Sequence, residues 1–490
     1  MTAATFSRPI FSRVLLAALL LAGTAMPASA ETLAEALASA YRDNPTLTAA
    51  RAGLRATDET VNIQKSGERP NASLSGTYSE NPLSRPASPF SPERSISGSL
   101  TASVPIYQGG RVKNGIEGAK RRVEAGQFDL RGTELDVFAA VVGAYMDVIR
   151  TQSLVSLSRN NVQVLDVNLK ATRDRFEVGD LTRTDVAQSE ARLALARSDL
   201  QSSEAQLISA RERYIELVGH EPIDLQTPPA LPGMPGNADD AVDIALANNP
   251  DLLSAHKSRE ASKFDVNVAA GARLPTVSAF STGSYNGDLG STPAGNQPDT
   301  KSVVVGARVT VPLYQGGAPG SRIRQSKAYE QQAMERETAT ERNIVAQARS
   351  LYSSWQASNQ VIESTKIAVS SNALSLQGVR AENSVGTRTI LEILNAEQES
   401  FSSQVQLVTA QRNAYVAGFS LLAVMGRVTA TDLGLDGGTL YDPTVNYKKV
   451  RNDWSDWNDG ADPKPQSSRT VDSPAQNATV KSPVTNSGTP

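Results

Sequence analysis

Few side chains in this chain have the types and the spacing of a catalytic or metal-binding site. The chain has no cysteine and only two histidines, His220 and His256. Thiol catalysis and thiolate zinc clusters are therefore excluded, and neither histidine has a second ligand at metal-binding spacing. The Gly-Gly pairs at 109–110 and 316–317 lack the third glycine and the lysine of a phosphate-binding loop. These residues predict no enzyme, no metal and no cofactor.

Two short polar segments stand out instead. They are residues 178–185, Val-Gly-Asp-Leu-Thr-Arg-Thr-Asp, and residues 385–392, Val-Gly-Thr-Arg-Thr-Ile-Leu-Glu. In each, the glycine allows a turn and a Thr or Asp is able to cap the helix that follows. Capping does not require Arg183 or Arg388, so these arginines could bridge to neighbouring helices. From the residues alone, ordinary capping and a functional latch both stay open.

The two polar segments belong to two copies of one unit. Residues 104–110, Val-Pro-Ile-Tyr-Gln-Gly-Gly, return 207 positions later as residues 311–317, Val-Pro-Leu-Tyr-Gln-Gly-Gly. The Asn-Pro pair at 44–45 returns at 249–250. It fits a helix start with Asn as the cap and Pro at the first helical position. The chain is therefore an internal duplication, and the function is expected to need both copies.

Long helices should carry the polar segments at their tips. No proline occurs between Arg111 and Glu177, which predicts a helix of roughly 100 Å. Heptads lie on both sides of the first tip and after the second tip, and such repeats produce left-handed coiled coils. The helix before the strands and the helix after the tip together have nearly the length of the long helix. We expect them to stack end to end beside it. The first-copy seam positions are Val155, Val162, Leu169 and Phe176 before the tip, then Val186, Leu193, Leu200, Leu207 and Tyr214 with Ser189, Ala196, Ser203, Ala210 and Leu217; the second-copy positions are Ile393, Ser400, Leu407, Ala414 and Leu421 with Ala396, Ser403, Ala410, Ala417 and Val424.

Four segments alternate between apolar and polar residues with period two. They cover about residues 70–80, 95–107, 275–286 and 301–314. Each has about the length of a strand that crosses a bilayer at a tilt, although a surface hairpin of a soluble protein is the other reading. Four strands cannot close a barrel and open edges are not tolerated in lipid, so several chains must share one barrel. Two chains would give eight strands and three would give twelve, and the residues do not decide between them.

The remaining segments complete the domain organisation. Residues 1–30 have the basic start, short apolar core and Ala-x-Ala end of a secretory signal peptide. The first repeat then covers 31–220, a Pro-rich linker 221–240, the second repeat 241–442, and a polar tail 443–490 that is predicted to be disordered. The formal net charge of −3 argues against a nucleic-acid partner.

These features together resemble the TolC family of outer-membrane efflux proteins. The resemblance rests on the duplication, the Asn-Pro helix starts, the strand-end motifs and the Val-Gly-Thr-Arg-Thr-Ile tip at 385–390, and it covers about residues 31–440. It implies a mixed fold, a membrane β-barrel joined to a long α-helical coiled-coil tunnel. Three chains of four strands would form a twelve-stranded barrel and a twelve-helix periplasmic tunnel. It also implies a homotrimer in the outer membrane of a Gram-negative bacterium, in contact with lipid. The trimer would dock onto a periplasmic adaptor and an inner-membrane pump of the proton-driven or ABC type.

The resemblance also implies roles for residues at the tips. Thr184 and Asp185 match the acceptor side of a latch that closes the periplasmic entrance, and Arg388 matches its arginine. Asn383 stands where the family usually has a tyrosine, which removes one latch bond. Two rings of aspartates that narrow the entrance in relatives correspond to Glu392 and Asn395. One carboxylate ring would remain, so divalent cations should block the entrance more weakly. The adaptor would dock on the hairpin tips, at Val178, Gly179, Val385, Gly386 and Thr387.

The resemblance predicts a gated exit duct for drugs, small molecules or proteins, in an efflux pump or a type I secretion system. A soluble periplasmic coiled-coil adaptor is the alternative, although it has no need of four membrane-length strands. A passive porin would have many more strands and little helix. The cargo and the pump type are left open by the sequence.

Overall fold

A computed structural model describes residues 30–80, 94–289, 298–435 and 440–480. The predicted signal peptide at 1–30 lies outside these ranges except for its last residue, and so do most of the predicted loops between paired strands. In order along the chain, the elements are α1 Leu33–Asp43, α2 Pro45–Ser66, β1 Asn71–Glu80, β2 Arg94–Gln108, α3 Arg111–Glu177, α4 Arg183–Val218, α5 Ala238–Asn248, α6 Pro250–Gly271, β3 Thr276–Asp288, β4 Thr300–Thr310, α7 Ala318–Ser384, α8 Ile390–Val424 and α9 Thr444–Val450.

One asparagine in each repeat both caps a helix and joins it to another. The Asn44 side-chain oxygen accepts hydrogen bonds from the amides of Thr46 and Leu47 at the start of α2. Its side-chain nitrogen donates to the carbonyl of Leu217, at the end of α4, over 2.9 Å. Asn249 joins α6 to Val424 of α8 in the same way. The predicted end-to-end stacking of the short helices beside α3 and α7 is therefore confirmed.

The four strands form one antiparallel sheet in the order β1-β2-β3-β4. Directly paired residues lie on one face, so the register sorts the side chains into rows. One row is Leu74, Leu100, Gly283 and Val303; the next is Ser75, Ser99, Ser284 and Ser302. Hydroxyls of adjacent strands are hydrogen-bonded within the serine row, and Leu74 and Val303 in the apolar row are 80% and 77% exposed. The sheet therefore has a polar face and an apolar face that this chain alone does not cover.

The last strand is shorter than predicted. β4 ends at Thr310, paired with Thr276 at the start of β3, whereas the alternating pattern predicted a strand to residue 314. Pro312 has no amide hydrogen to donate, and β3 offers no residue opposite the segment. Alternation of side chains continues past the point where the ladder ends.

The tail is not disordered where the prediction placed its start. Residues 444–450 form α9, which packs on α2. Tyr447 lies against a buried cluster of Val61, Ile116, Ala119 and Val123. Polar composition predicted disorder, but a few apolar side chains in the tail are enough to hold it against the helices.

Most seam positions that the heptads predict are buried or partly buried, but Phe176, next to the first tip, is 43% exposed. At the tip-proximal end, Leu165, Leu169 and Leu193 of the first repeat meet Ile390, Ile393 and Leu394 of the second. Among the helices of the described ranges, none has both the length and the apolar character required to cross a bilayer. The two helical hairpins, α3–α4 and α7–α8, thus pack together and present their tips side by side.

Candidate functional site: the paired hairpin tips

The first tip, residues 178–185, is closed by bonds within itself. Gly179 has a φ of +84°, which lets the chain reverse after α3. Thr182 and Asp185 form a capping box at the start of α4, in which the Asp185 carboxylate accepts from the amide and the hydroxyl of Thr182 at 2.9 and 2.7 Å. These hydrogen bonds lower the pKa of Asp185. Within the single chain, the carboxylate of Asp185 therefore acts as part of the N-terminal cap of α4.

The second tip, residues 385–392, has the same framework and one addition. Gly386 has a φ of +80°, and Thr389 and Glu392 form the capping box of α8. Arg388 adds two ion pairs, to Glu382 of α7 and to Glu392 of α8, both at 2.7 Å. The side chain of Asn383 donates to the carbonyl of Arg388 over 2.6 Å. Asn383 thus helps to position Arg388. The family resemblance had predicted only that Asn383 would remove one bond of the latch.

The predicted latch residues do not meet within one chain. Arg388 lies between two carboxylates of its own hairpin, and Asp185 is bound to Thr182. The side chains of Thr184 and Arg183 make no hydrogen bond or ion pair in the part of the chain that the structure describes. A latch between Arg388 and Asp185 therefore stays a prediction, and it would have to form between tips of different chains.

Glu392 is held in its charged form. The Thr389 amide, then the Arg388 guanidinium and the Thr389 hydroxyl, lower the pKa of Glu392 to about 2. A depressed pKa stabilises the folded tip above the ordinary glutamate pKa, and this contribution is lost as the pH falls towards 2. The carboxylate is also already paired with a cation, which weakens its attraction for another.

This electrostatic arrangement predicts how the tip responds to pH. Between pH 8 and 5 the amides of Thr389 and Glu392 should stay protected, because Glu392 remains ionised. In Glu392→Gln they should exchange roughly threefold faster, since the cap loses its charged acceptor. Peptide-level hydrogen exchange, corrected for intrinsic rates, measures the difference, which should fall to about half near pH 2, where half of the Glu392 carboxylates are protonated. A difference that is already lost at pH 4, or one absent at pH 6, would contradict the assignment.

Asn395 joins the two repeats. Its side-chain oxygen accepts a hydrogen bond from Arg192 of α4 over 2.9 Å. In the family resemblance this residue belongs to the constriction, yet here its side chain is engaged with the other hairpin. The structure therefore places Asn395 at the contact between hairpins.

A buried carboxylate two residues further on was missed by the sequence analysis. Glu397 of α8 is 5% exposed and accepts two hydrogen bonds from Asn168 of α3, at 2.7 and 2.9 Å. Arg380 of α7 pairs with the same carboxylate at 2.9 Å. Glu397 therefore connects three helices. Because a buried charge depends strongly on its partners, loss of Asn168 or Arg380 should destabilise the contact between these three helices.

The repeat provides an internal reference for this carboxylate. At the offset of 207 residues, Arg380 and Glu397 correspond to Arg173 and Glu190, which also pair, at 2.5 Å. The Glu190 side chain is 48% exposed, against 4% for Glu397. The Arg–Glu brace within a hairpin is thus repeated, and only the second copy contacts the other hairpin. The sequence did contain a signal for the burial of Glu397, because Glu397 lies on the same face of the helix as the seam residues Ile393 and Ser400.

Higher on α8 a further ion pair joins the repeats. Arg412 binds both carboxylate oxygens of Asp147 on α3, at 3.1 and 2.9 Å. Asn395, Glu397 and Arg412 therefore form a line of polar contacts between α8 and the first hairpin.

The histidines lie in ordinary ionic surroundings. His256 is 2.9 Å from Glu337 and 3.2 Å from Glu260, and His220 lies beside Glu31. Within the described ranges, no group of three or more histidine, aspartate or glutamate side chains has the arrangement of a metal site.

The strands have the length needed to cross a membrane and share one exposed apolar face. Each strand pair is followed by a helical hairpin with one arm of 67 residues and one of about 35. This combination defines an outer-membrane channel with a helical extension. The sequence profile of the family "Outer membrane efflux protein" matches residues 36–220 and again residues 241–427. The chain belongs to this family, and each repeat is one match.

Individual relatives agree with this assignment. The outer membrane efflux protein BepC of Brucella suis is 32% identical over 441 residues, which covers 89% of this chain and 95% of that protein. The outer membrane protein TolC of Escherichia coli is 24% identical, with coverages of 86% and 87%. Among solved structures, the CmeC outer membrane channel of Campylobacter jejuni superposes with a TM-score of 0.72 at 15% identity, covering 86% of this chain and 89% of that one. The chain is an outer-membrane export channel with the TolC fold.

Proposed function

We propose that three copies of this chain form one gated exit duct that docks on a periplasmic adaptor and an inner-membrane pump. The observation that carries the proposal is the uncovered sheet. β1 and β4 are its two edges, and its apolar row is exposed in the single chain. Joining β4 of one copy to β1 of the next removes the edges, and three copies give twelve strands with room for a lumen. The duct itself performs no chemistry, and the pump supplies the energy.

The hairpin tips are the proposed docking surface for the adaptor. Val178 and Val385 are 81% and 74% exposed, next to the turn glycines Gly179 and Gly386 and beside Thr387. Exposed apolar side chains at the end of a long coiled coil favour contact with another protein. The proposed duct could serve either efflux or protein secretion. One relative is the alkaline protease secretion protein AprF of Pseudomonas aeruginosa, which is 26% identical over 314 residues.

Cross-linking of the sheet edges tests the trimer. The chain has no cysteine, so the double variant Ser75→Cys, Ser302→Cys places one thiol on β1 and one on β4 of the serine row. Within one copy these positions are three strand spacings apart, roughly 14 Å. A bismaleimide shorter than this should therefore link different copies and give a closed covalent trimer on a denaturing gel.

The matched controls are the two single variants, which should give no ladder. A covalent dimer as the largest product would support an eight-stranded barrel in place of the trimer. Only monomer in every variant, with the protein extracted from the membrane fraction, would overturn the shared barrel.

A further inference from the structure

The C-terminal tail rises along α2 towards the membrane strands and then returns. Asn446 donates to Asp58, and Lys65 donates to the carbonyl of Arg451, at 2.9 and 2.8 Å. Arg69 donates to the carbonyl of Asp453 over 2.6 Å. Because Asp58, Lys65 and Arg69 follow one another along the chain towards β1, the tail climbs in the same direction.

The return path runs along the same side of the helices. Ser467 is hydrogen-bonded to Thr48 at the start of α2, over 2.9 Å. Further on, Arg211 of α4 donates to the carbonyl of Thr479 over 2.9 Å. Since α4 is stacked below α2 through Asn44, residues 455–480 descend away from the strands. The tail is therefore a hairpin-shaped excursion, and its apex lies near Arg69.

The apex sits at the junction between the helices and the sheet. Arg69 is two residues before the start of β1, a reach of at most about 7 Å. The end of α2 lies beside the start of α3, because a Cβ on Gly67 would come within 3.1 Å of Val112. Two tyrosines lie near this level, Tyr107 at the end of β2 and Tyr314 four residues after β4, and they are 45% and 89% exposed. Exposed aromatic rings at the ends of membrane strands mark the water–lipid boundary.

Two tryptophans stand on this apex with their rings largely uncovered. Trp454 is 67% exposed and Trp457 is 92% exposed. The Arg69 guanidinium lies over the Trp454 ring, 4.6 Å from its centre. Asp453 fixes the turn by accepting from the amide of Ser455 and the side chain of Asn458, at 2.9 and 2.8 Å. The rings are thus presented by a hydrogen-bonded turn, and the described part of the chain leaves both of them largely exposed.

Charges of both signs surround the apex. Lys65, Arg69 and Arg451 supply the cations, whereas Glu68 and three aspartates flank the rings, namely Asp453, Asp456 and Asp459. Burial lowers the pKa of Lys65, the charges of Lys120, Arg451 and Arg69 lower it further, and Glu68 opposes them. Cations beside exposed indole rings match the headgroup region of a phospholipid leaflet, where indoles lie at the boundary and cations meet phosphates. The position of the rings beside the start of the membrane strands favours lipid over a protein partner.

We propose that the tail apex, Trp454 and Trp457 with Arg69, inserts into the phospholipid headgroup region of the periplasmic leaflet and anchors the tunnel against the membrane. The proposal rests on the membrane location of the barrel. It concerns a segment beyond the residues matched by the family profile, which ends at residue 427. The anchor would fix the height and tilt of the tunnel relative to the bilayer.

Depth-dependent fluorescence quenching tests the anchor. The chain has three tryptophans, so three double Trp→Phe variants each retain one indole: W355F/W457F retains Trp454, W355F/W454F retains Trp457, and W454F/W457F retains Trp355. Each is reconstituted into vesicles of phosphatidylethanolamine and phosphatidylglycerol that contain lipid brominated either near the headgroup or deep in the acyl chain. Trp454 and Trp457 should be quenched about twofold more strongly by the shallow label than by the deep one.

Trp355 is the matched control. It lies about 55 Å along α7 from the start at Ala318, so neither label should quench it. Absence of quenching at Trp454 and Trp457, or quenching equal to that of Trp355, would overturn the anchor. A change in the fluorescence of Trp454 and Trp457 that appears only when a purified adaptor is added would assign the rings to a protein partner. This result would also overturn the anchor. Channel conductance of the same vesicles reports the proposed duct separately, so a conducting but unquenched trimer rejects only the anchor.

Discussion

Asn168→Asp should open the channel more strongly than any other single change in the tip region. The new carboxylate would face Glu397 at the distances now spanned by two hydrogen bonds, 2.7 and 2.9 Å, in a contact where Glu397 is 5% exposed. Like charges in such a contact cost on the order of 3 kcal/mol. Each ~1.4 kcal/mol changes an equilibrium tenfold, so the open fraction should rise by about a hundredfold. Single-channel recording of the purified trimer in a planar bilayer measures it.

Two variants separate loss of the contact from loss of the fold. Glu397→Gln in the Asn168→Asp background restores a carboxylate–amide pair with the roles exchanged, and it should return conductance most of the way to wild type. Glu190→Gln removes the equivalent brace in the first repeat, where the side chain is 48% exposed, and should leave conductance unchanged. Conductance that stays low in Asn168→Asp, or that rises equally in Glu190→Gln, would refute the role of Glu397.

Acid should reverse the effect of Asn168→Asp. Two carboxylates in contact share a proton as the pH falls, since protonating one of them removes the repulsion. The same recordings at pH 8 and pH 5 should therefore show an excess conductance that decreases with acid. Wild type, in which Glu397 faces an amide, should change less.

Features that repeat at a fixed spacing could be predicted from the sequence. The Asn-Pro pairs at 44–45 and 249–250 signalled helix caps, and both asparagines cap as expected. Alternation along residues 95–107 predicted β2, which covers Arg94–Gln108. The heptads predicted the buried seam that includes Leu169, Leu193 and Ile393. In each case a local pattern predicts the structure, because the spacing of residue types along the chain shows which face of a helix or strand is buried.

Contacts between the repeats could not be predicted in the same way. Glu397 meets Asn168 across 229 positions, and Arg412 meets Asp147 across 265. Neither residue type nor spacing identifies such partners, since charged residues on long helices are usually solvated. The prediction that the tail is disordered was wrong for a related reason. Its few apolar residues, such as Tyr447 and Val450, have no period, and their burial depends on a surface built by α2 and α3.

Arg388→Gln should alter both conductance and cation block at the entrance. Arg388 pairs with Glu382 and Glu392 at 2.7 Å, so its removal leaves the Glu392 carboxylate without its cation. The pKa of Glu392, now about 2, should rise, although the Thr389 cap still favours the charged form. If the Glu392 residues of three chains form a ring at the entrance, their uncompensated carboxylates should bind a divalent cation roughly tenfold more tightly than those of the wild type. Block of single-channel current by added divalent cation measures this change.

Conductance in the absence of divalent cation tests the latch itself. If Arg388 of one chain bridges to Asp185 of another, then Arg388→Gln and Asp185→Asn should each raise conductance, and the double variant should add little. Asparagine keeps an oxygen that can accept from Thr182, so Asp185→Asn removes the charge and spares the cap. Arg175→Gln, which breaks the Arg175–Asp180 pair of the first tip, is the matched control and should change neither property.

The two readouts distinguish the alternatives that the single chain leaves open. A latch between chains predicts a change in both conductance and block for Arg388→Gln, but a change in conductance alone for Asp185→Asn. A purely local role for Arg388, bracing Glu382 and Glu392, predicts a change in block with no change in conductance. In that case the closed state would be held chiefly by the contacts of α8 with the first hairpin, at Asn395, Glu397 and Arg412. Opening would then begin where the two repeats meet, because these contacts join one hairpin to the other while the tip bonds do not.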